Sequence, residues 1–177
     1  PMILAANKMD VAPPENVLKL LALKDVIVLP VSGAAEIALR MAEKAGLIKY
    51  RPGDPDFEIV GQLSKAQTAG LEKIRSLMKE YGGTGVQECI NRAVFELLDY
   101  IVLYPVEDEN KYTDRKGVIL PDAFLMKRGS TARDLAFRVH SDIGESFLFA
   151  VDAKSKMRLG EKYELKDGDV IKIVSTK

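Results

Sequence analysis

Two short apolar runs, each followed by a polar loop and a helical pattern, limit the folds open to this chain. The first run occupies residues 2–6 and the second residues 26–30. An uninterrupted apolar strand is typical of a parallel sheet that is covered on both faces. Helical patterns over residues 15–23 and 34–45 follow the two runs. The order strand, helix, strand, helix predicts a parallel α/β sheet at the start of the chain.

The remainder of the chain changes character twice. A turn-rich stretch at residues 51–56 is interpreted as a linker. Two helical patterns separated by Gly82-Gly83 follow, and they predict an antiparallel helical hairpin. From about residue 101 onward, strand-like runs surround one helix, for which Thr131 is the predicted N-cap. This second half is an α+β pattern of the β-grasp type.

Composition excludes several classes of function. Lysine plus arginine is 26 and aspartate plus glutamate is 26, so the chain lacks the overall positive field of non-specific nucleic-acid binders. With a single cysteine, Cys89, and a single histidine, His140, we predict no metal site and a reducing compartment, the cytoplasm. No apolar run reaches the ~18–20 residues of a membrane span, so no membrane partner is expected.

The loop after the first apolar run carries the pattern N-K-x-D, at residues 7–10, with which GTPases recognise guanine. Four residues are a weak signal alone, but these lie at the carboxyl end of a strand, where open α/β sheets bind ligands. The loop after the second run is similar to the serine-alanine loop that completes guanine recognition in those proteins. The predicted guanine-binding residues are Asn7, Lys8, Asp10, Ser32, Gly33 and Ala34.

The carboxylate of Asp10 fits the edge of guanine. The N1–H and the 2-amino group lie side by side, so one carboxylate accepts both hydrogen bonds, whereas adenine presents an acceptor there and no amino group. An unpaired buried charge costs several kcal/mol. A site of this kind therefore discriminates by roughly 10⁴-fold or more. The alternative is that residues 7–10 are an ordinary strand-to-helix loop in which Asp10 caps the helix.

The other residues of the two loops have distinct expected roles. We expect the Asn7 amide to bond the second edge of the base and to tie the loops together. The stem of Lys8 is expected to cover the face of the base, and Ser32 to brace the loop of Asp10. Backbone N–H groups of Gly33 and Ala34 are predicted to meet the carbonyl oxygen of guanine.

Several stretches in the last third of the chain carry a second resemblance, to a known type of domain. They comprise residues 120–126, 129–136, 140–143 and 167–171, together with Gly160. In combination with N-K-x-D, they make the whole chain resemble the C-terminal portion of an Obg-like GTPase of the YchF-related type, in its archaeal and eukaryotic branch. The stretches themselves resemble the signature of a TGS domain, which implies a small β-grasp, ubiquitin-like fold.

The resemblance implies a domain organisation and a ligand. Residues 1–52 would be the C-terminal part of a P-loop-type GTPase domain, residues 53–100 a helical segment and residues 101–177 the TGS domain. Relatives with adenine specificity lack a regular N-K-x-D, so its presence here implies GTP or GDP. The family tends to have serine-alanine where this chain has Ser32-Gly33. Glycine keeps the N–H donor but gives a less rigid loop.

The phosphate-binding elements of that family have no counterpart in these 177 residues. The pattern G-x-x-x-x-G-K-[ST] does not occur, and Gly82-Gly83-Thr84-Gly85 lacks the lysine, so we interpret it as a break between helices. We expect Mg²⁺ and the phosphates to be bound by segments upstream of Pro1. We predict no catalytic residue in this chain, no nucleotide bound by it alone and no GTP hydrolysis by it.

Three basic residues between the last strands are candidate RNA contacts: Lys154, Lys156 and Arg158. They are either an ordinary solvated surface or a patch that faces phosphates, and without interleaved aromatic residues base stacking is not predicted. The resemblance to TGS domains implies a role near RNA or the ribosome. The leading hypothesis is thus a regulatory GTPase linked to translation. The alternatives are an RNA- or protein-binding TGS module without nucleotide function, and a TGS domain that serves as an internal lid or docking surface.

Overall fold

The first two strands lie side by side and parallel, as their apolar sequences predict. In the computed structural model, which describes residues 2–176, β1 (Ile3–Asn7) pairs with β2 (Ile27–Val31). Helix α1 (Pro14–Leu21) connects them, and α2 (Gly33–Lys44) follows β2. Proline at the start of α1 lacks an N–H that the first turn would leave unpaired in any case.

The prediction that the first strand is covered on both faces is wrong within the described residues. Ile3 and Leu4 are only half-buried and Ala5 is exposed, so Ala6 is the one buried apolar residue of β1. The first sheet has two strands here, in the order β1-β2. Two parallel strands and the two helices that follow them leave much of an apolar strand in contact with solvent.

A small hairpin and two further helices complete this part of the chain. The elements are β3 (Ile48–Lys49), antiparallel to β4 (Glu58–Ile59), then α3 (Lys65–Tyr81) and α4 (Val86–Arg92), which continues into a π-helical turn, Ala93–Leu97. The turn-rich stretch at residues 51–56 connects β3 to β4, so it is part of the fold and not a linker. Helix α4 packs against β2 and not along α3, so the predicted helical hairpin is wrong.

The contacts of the chain divide it into two units between Leu97 and Leu98. We refer to residues 2–97 as the N-terminal unit and to residues 98–176 as the C-terminal unit. The N-terminal unit has a core of side chains from α2, the hairpin region and α3: Leu39, Ile48, Tyr50, Phe57, Leu71 and Met78.

The C-terminal unit is a mixed sheet with helices between its strands. Its elements are β5 (Tyr100–Val106), β6 (Phe124–Lys127), α5 (Ala132–Val139), α6 (Ser141–Glu145), β7 (Phe147–Asp152), β8 (Arg158–Leu159) and β9 (Asp169–Ser175). The strand order is β6-β5-β9-β7-β8, in which only the central pair, β5 and β9, is parallel. This is the β-grasp arrangement that the sequence predicts.

The helix α5 is fixed by its own sequence and by the core. Thr131 is its N-cap, as predicted, and Asp134 completes a capping box by accepting a hydrogen bond from the Thr131 backbone. Leu135 of α5 is fully buried together with Ile101 and Ile171 from the two central strands. Among residues 2–176, no helix is long and apolar enough to cross a membrane.

Candidate functional site

The carboxyl ends of β1 and β2 bring the two predicted recognition loops together. Asn7 lies opposite Val31 in the register of the parallel pair, so both strands end at the same edge of the sheet. The backbone N–H of Met9 donates to the carbonyl oxygen of Val31 at 3.2 Å, which extends the pairing into the first loop. Met9 itself is buried and anchors that loop.

The side chain of Asn7 joins the two loops, as predicted. Its Oδ1 accepts hydrogen bonds from the backbone N–H groups of Lys8, at 2.8 Å, and Gly33, at 3.1 Å. Lys8 has a left-handed backbone with φ of 70°. That conformation is uncommon for a residue with a side chain, and the surrounding hydrogen bonds hold it in place. The side chain of Lys8 is exposed.

Ser32 braces the loop of Asp10, also as predicted. The Ser32 hydroxyl donates to Oδ1 of Asp10 at 2.8 Å and accepts from the backbone N–H of Ala35 at 3.1 Å. Ser32 is therefore the N-cap of α2 and a support for Asp10 at once, and it is fully buried. Asp10 is exposed, and its Oδ2 has no hydrogen-bond partner among residues 2–176.

Only one of the two predicted backbone donors is without a partner among residues 2–176. The N–H of Gly33 donates to Oδ1 of Asn7, and its contact with the guanine carbonyl stays a prediction. The N–H of Ala34, at an exposed position in the first turn of α2, has no partner in the described part of the chain. A side chain at Gly33 would meet Asn7 at 3.6 Å, an ordinary contact. The loop therefore has room for the alanine that the related loops carry.

A buried carboxylate that the sequence interpretation missed lies beneath the second loop. Glu36 accepts hydrogen bonds from Arg40 Nε at 2.7 Å, the Tyr50 hydroxyl at 2.8 Å and the Thr84 hydroxyl at 2.6 Å. Burial by itself would raise the pKa of Glu36, but the hydrogen bonds from Thr84, Arg40 and Tyr50 outweigh it and lower the pKa. Burial, and then the bond to Glu36, raises the pKa of Tyr50 to about 12.

The polar atoms at this edge of the sheet that have no partner within residues 2–176 are complementary to a purine base that has N–H donors on one edge. Asp10 offers carboxylate acceptors, and the Asn7 amide nitrogen and the Ala34 N–H offer donors. Adenine has no donor pair to present to the carboxylate, whereas guanine has two adjacent donors. Among the described residues, no cluster of histidine, cysteine, aspartate and glutamate could hold a metal ion.

Of the three candidate RNA contacts, Lys154 and Lys156 lie in the turn from β7 to β8, and Arg158 is the first residue of β8. Each has an internal partner. Lys154 Nζ donates to the carbonyl oxygen of Gly168 at 2.6 Å. Lys156 Nζ donates to the carbonyl oxygen of Glu109. The guanidinium of Arg158 lies 3.7 Å from the centre of the Phe149 ring. All three basic side chains remain exposed, so their charges face solvent although their positions are fixed.

Comparisons with known proteins agree with this geometry. Residues 5–108 match the family described as Obg-like GTPase YGR210-like, G4 motif-containing domain, and residues 116–175 match the TGS domain. A protein of Methanocaldococcus jannaschii that is named as a GTP-binding protein is 54% identical over 99% of this chain, which spans 45% of that relative. A second protein of the same organism, with the same kind of name, is 25% identical over 68% of this chain and 33% of its own length.

A solved structure is similar as well. The crystal structure of a GTP-binding protein from Pyrococcus horikoshii matches with a TM-score of 0.78 at 45% sequence identity, over 99% of this chain and 46% of that one. The present chain thus spans less than half the length of each of these relatives.

The fold and the two interlocked loops define a GTPase-type α/β unit that is followed by a β-grasp unit. This confirms the predicted combination of an α/β and an α+β fold. The chain belongs to the Obg-like GTPase family, in its YGR210-like group, and carries a TGS domain at its C-terminal end.

Proposed function

We propose that the N-terminal unit reads the guanine base in a GTP- or GDP-binding regulatory GTPase. The observation that carries this proposal is the hydrogen-bonded link between the loops, in which Ser32 holds Asp10 and Asn7 holds Gly33. A ligand therefore meets side chains that are already in position, and little ordering of the loops opposes binding. The family match and the names of the relatives support a guanine nucleotide as that ligand.

Each free group has a role in this proposal. The Asp10 carboxylate accepts hydrogen bonds from N1–H and the 2-amino group of guanine. The Asn7 amide nitrogen donates to the opposite edge of the base, and the Ala34 N–H donates to the guanine carbonyl oxygen. The exposed stem of Lys8 lies over the face of the base, where its methylene groups exclude water.

The phosphates and Mg²⁺ require partners outside these 177 residues. The phosphate-binding lysine loop of P-loop GTPases is missing from the sequence, and the relatives are more than twice as long. We therefore assign phosphate and Mg²⁺ binding to segments beyond this chain, so that the 177 residues alone neither retain the nucleotide nor hydrolyse GTP. Within this proposal, residues 1–52 carry the base-reading loops, the mainly helical residues 53–100 complete the same unit, and residues 101–177 form the TGS domain.

Calorimetric titration tests the proposed ligand. GDP and ADP are titrated into the natural full-length chain that contains these residues, and GDP is expected to bind while ADP is weaker by at least ~10²-fold. The isolated 177 residues serve as the comparison and are expected to give no measurable turnover of GTP. Equal affinity for GDP and ADP would contradict guanine recognition.

For the C-terminal unit we propose contact with RNA or the ribosome in the cytoplasm. The TGS match supports it, together with the exposed cations Lys154, Lys156 and Arg158, which lie within five residues at the turn from β7 and the start of β8. Lys154 and Lys156 each use one of three N–H donors in an internal bond, so two donors on each ammonium group remain for phosphates. The expected patch therefore acts through hydrogen bonds as well as through its charge.

Salt dependence separates this proposal from the alternatives. Replacing Lys154 and Lys156 by alanine is expected to weaken RNA binding and to lower its salt slope by about two. Replacing two exposed lysines of α3, Lys65 and Lys73, is the matched control and should leave the slope unchanged. If the wild-type chain binds no RNA, the TGS domain serves as a docking surface or lid instead.

A further inference from the structure

The glycine-rich turn between α3 and α4 closes on the loop that holds Ser32. The backbone N–H of Ser32 donates to the carbonyl oxygen of Thr84 at 2.9 Å, and the Thr84 hydroxyl donates to Oε2 of Glu36 at 2.6 Å. Thr84 is 48 residues further along the chain than Glu36. Thr84 thus holds the backbone of Ser32 at the start of α2 and the side chain of Glu36 one turn later.

Gly85 makes this approach of backbones feasible. A Cβ atom on Gly85 would lie 1.9 Å from the carbonyl oxygen of Pro30, a backbone atom at the end of β2. No side chain fits at that distance, so any larger residue has to push the turn away from β2. Gly82, at the other end of the same turn, has a similar left-handed φ of 80° but nothing within 4 Å of its Cβ position. Both glycines therefore have a left-handed backbone that favours glycine. They differ in the space around the Cβ position, which is open at Gly82 and blocked by β2 at Gly85.

The contacts lead from the turn to the base-reading carboxylate in short steps. Thr84 fixes the backbone of Ser32, and the hydroxyl of Ser32 donates to Asp10. Thr84, Ser32 and Glu36 are all buried, so water cannot replace a broken bond without opening the loop. Movement of the turn would thereby move the group that orients Asp10.

We infer that Thr84 and Gly85 are positioning residues for guanine recognition, and that the turn of residues 82–85 sets the fraction of molecules whose base-reading loops are competent. The inference rests on the proposed function of the N-terminal unit. The apparent affinity for GDP falls in proportion to that fraction. A turn that keeps only about a tenth of the molecules competent thus weakens GDP binding about tenfold.

The test compares four variants of the natural full-length chain: Gly85→Ala, Gly82→Ala, Thr84→Val and Thr84→Ser. Gly85→Ala is expected to weaken GDP binding about tenfold, and Gly82→Ala by no more than about twofold. Thr84→Val, which removes the hydroxyl and keeps the shape, is expected to weaken GDP binding about fivefold, and Thr84→Ser to restore it.

Inosine diphosphate, which lacks only the 2-amino group, separates positioning from general loss of structure. Without competent loops, both nucleotides bind through their phosphates alone. This residual binding is the same for both nucleotides, so the weakening is larger for GDP. The ratio of the dissociation constant of inosine diphosphate to that of GDP is therefore expected to be lower in Gly85→Ala and Thr84→Val than in the wild type. Hydrogen exchange at the Ser32 amide should accelerate in the same variants, because its acceptor is the Thr84 carbonyl.

Two results would overturn the inference and leave the proposed function standing. In the first, Gly85→Ala and Thr84→Val bind GDP as the wild type does, with an unchanged ratio. In the second, the affinities for both nucleotides fall by the same factor and the melting temperature falls as well. That result would indicate only a loss of folded protein. A wild-type chain that does not distinguish GDP from inosine diphosphate would instead overturn the proposed function, and this inference with it.

Discussion

The two units differ in how many apolar side chains they enclose completely. The C-terminal unit encloses Ile101, Leu103 and Leu135 completely between a five-stranded sheet and α5. Among the described residues of the N-terminal unit, Leu39 and Met78 are the apolar side chains that are enclosed to the same degree. Both units also expose large apolar side chains, such as Met41 in the first and Ile119 in the second. The unit with more completely enclosed side chains is thus not the one that carries the loops after β1 and β2.

Buried polar groups show the opposite distribution. Ser32, Glu36 and Thr84 of the N-terminal unit are buried polar residues, and all three are hydrogen-bonded to one another or to the recognition loops. In the C-terminal unit, Thr113 is the buried polar residue. Hydrogen bonds specify geometry in a way that apolar contact does not. The comparison teaches that the loops are positioned by a polar network, while apolar enclosure stabilises the β-grasp unit.

Matched leucine truncations measure the two cores separately. Leu39 of α2 and Leu135 of α5 are both fully buried, so each change to alanine should destabilise its own unit by about 2–5 kcal/mol. Amide hydrogen exchange, read unit by unit, is the measurement. The exposed residues Leu18 and Leu148 are the controls, and their truncation should cost within about 0.5 kcal/mol. If Leu39→Ala cost no more than Leu18→Ala, the N-terminal unit would lack a packed core of its own.

The network around Glu36 gives the N-terminal unit a dependence on pH. The pKa of Glu36 is lower in the folded chain than its ordinary value of 4.5, so its ionised form stabilises the fold above that value. This stabilisation is lost as the pH falls through the lowered pKa. Glu36→Gln should cost about 1–3 kcal/mol at neutral pH, because three donors lose a charged acceptor.

Denaturant unfolding at several pH values tests this expectation. The difference between wild type and Glu36→Gln should shrink as the pH falls below 4.5. Thr113→Val, at a buried position of the C-terminal unit, is the control, and its difference from wild type should not vary with pH. A pH-independent effect of Glu36→Gln would mean that the charge of the network is irrelevant to the fold.

Two glycine positions give the smallest effects, with opposite signs in the two units. Gly70 lies inside α3 with open space around its Cβ position, so Gly70→Ala should stabilise the chain by about 0.5–1 kcal/mol. Gly129 also has open space but a left-handed φ of 86°, so Gly129→Ala should destabilise it by about 1–2 kcal/mol. Thermal unfolding distinguishes the two, and equal signs would contradict the backbone explanation.

Local sequence signals predicted the elements that carry the site. The apolar runs predicted β1 and β2, and the loop residues predicted the bonds of Asn7 and Ser32, because short loops at the ends of paired strands leave few alternatives. The β-grasp unit was predictable for the same reason, since its strands and the capped helix α5 have strong local patterns.

Contacts between distant parts of the chain were not predictable in this way. The turn of residues 82–85 looked like a break between two helices, and no local pattern tells that it closes on β2. The local sequence around Glu36 does not indicate burial, because its partners Tyr50 and Thr84 lie far away in the sequence. The β3–β4 pair has two residues in each strand, too few to show a period.

The affinities of wild type and Asp10→Asn for two nucleoside diphosphates test most directly whether these loops read guanine. In a chain that also carries the proposed phosphate-binding segments, wild type should bind GDP at least ~10²-fold more tightly than xanthosine diphosphate. Asp10→Asn should reverse the preference, because xanthine presents a carbonyl where guanine has its amino group, and the asparagine amide donates to it. Asp122→Asn, at an exposed position of the C-terminal unit, is the control and should change neither affinity. An Asp10→Asn chain that keeps the wild-type preference for GDP would contradict the assignment of the site.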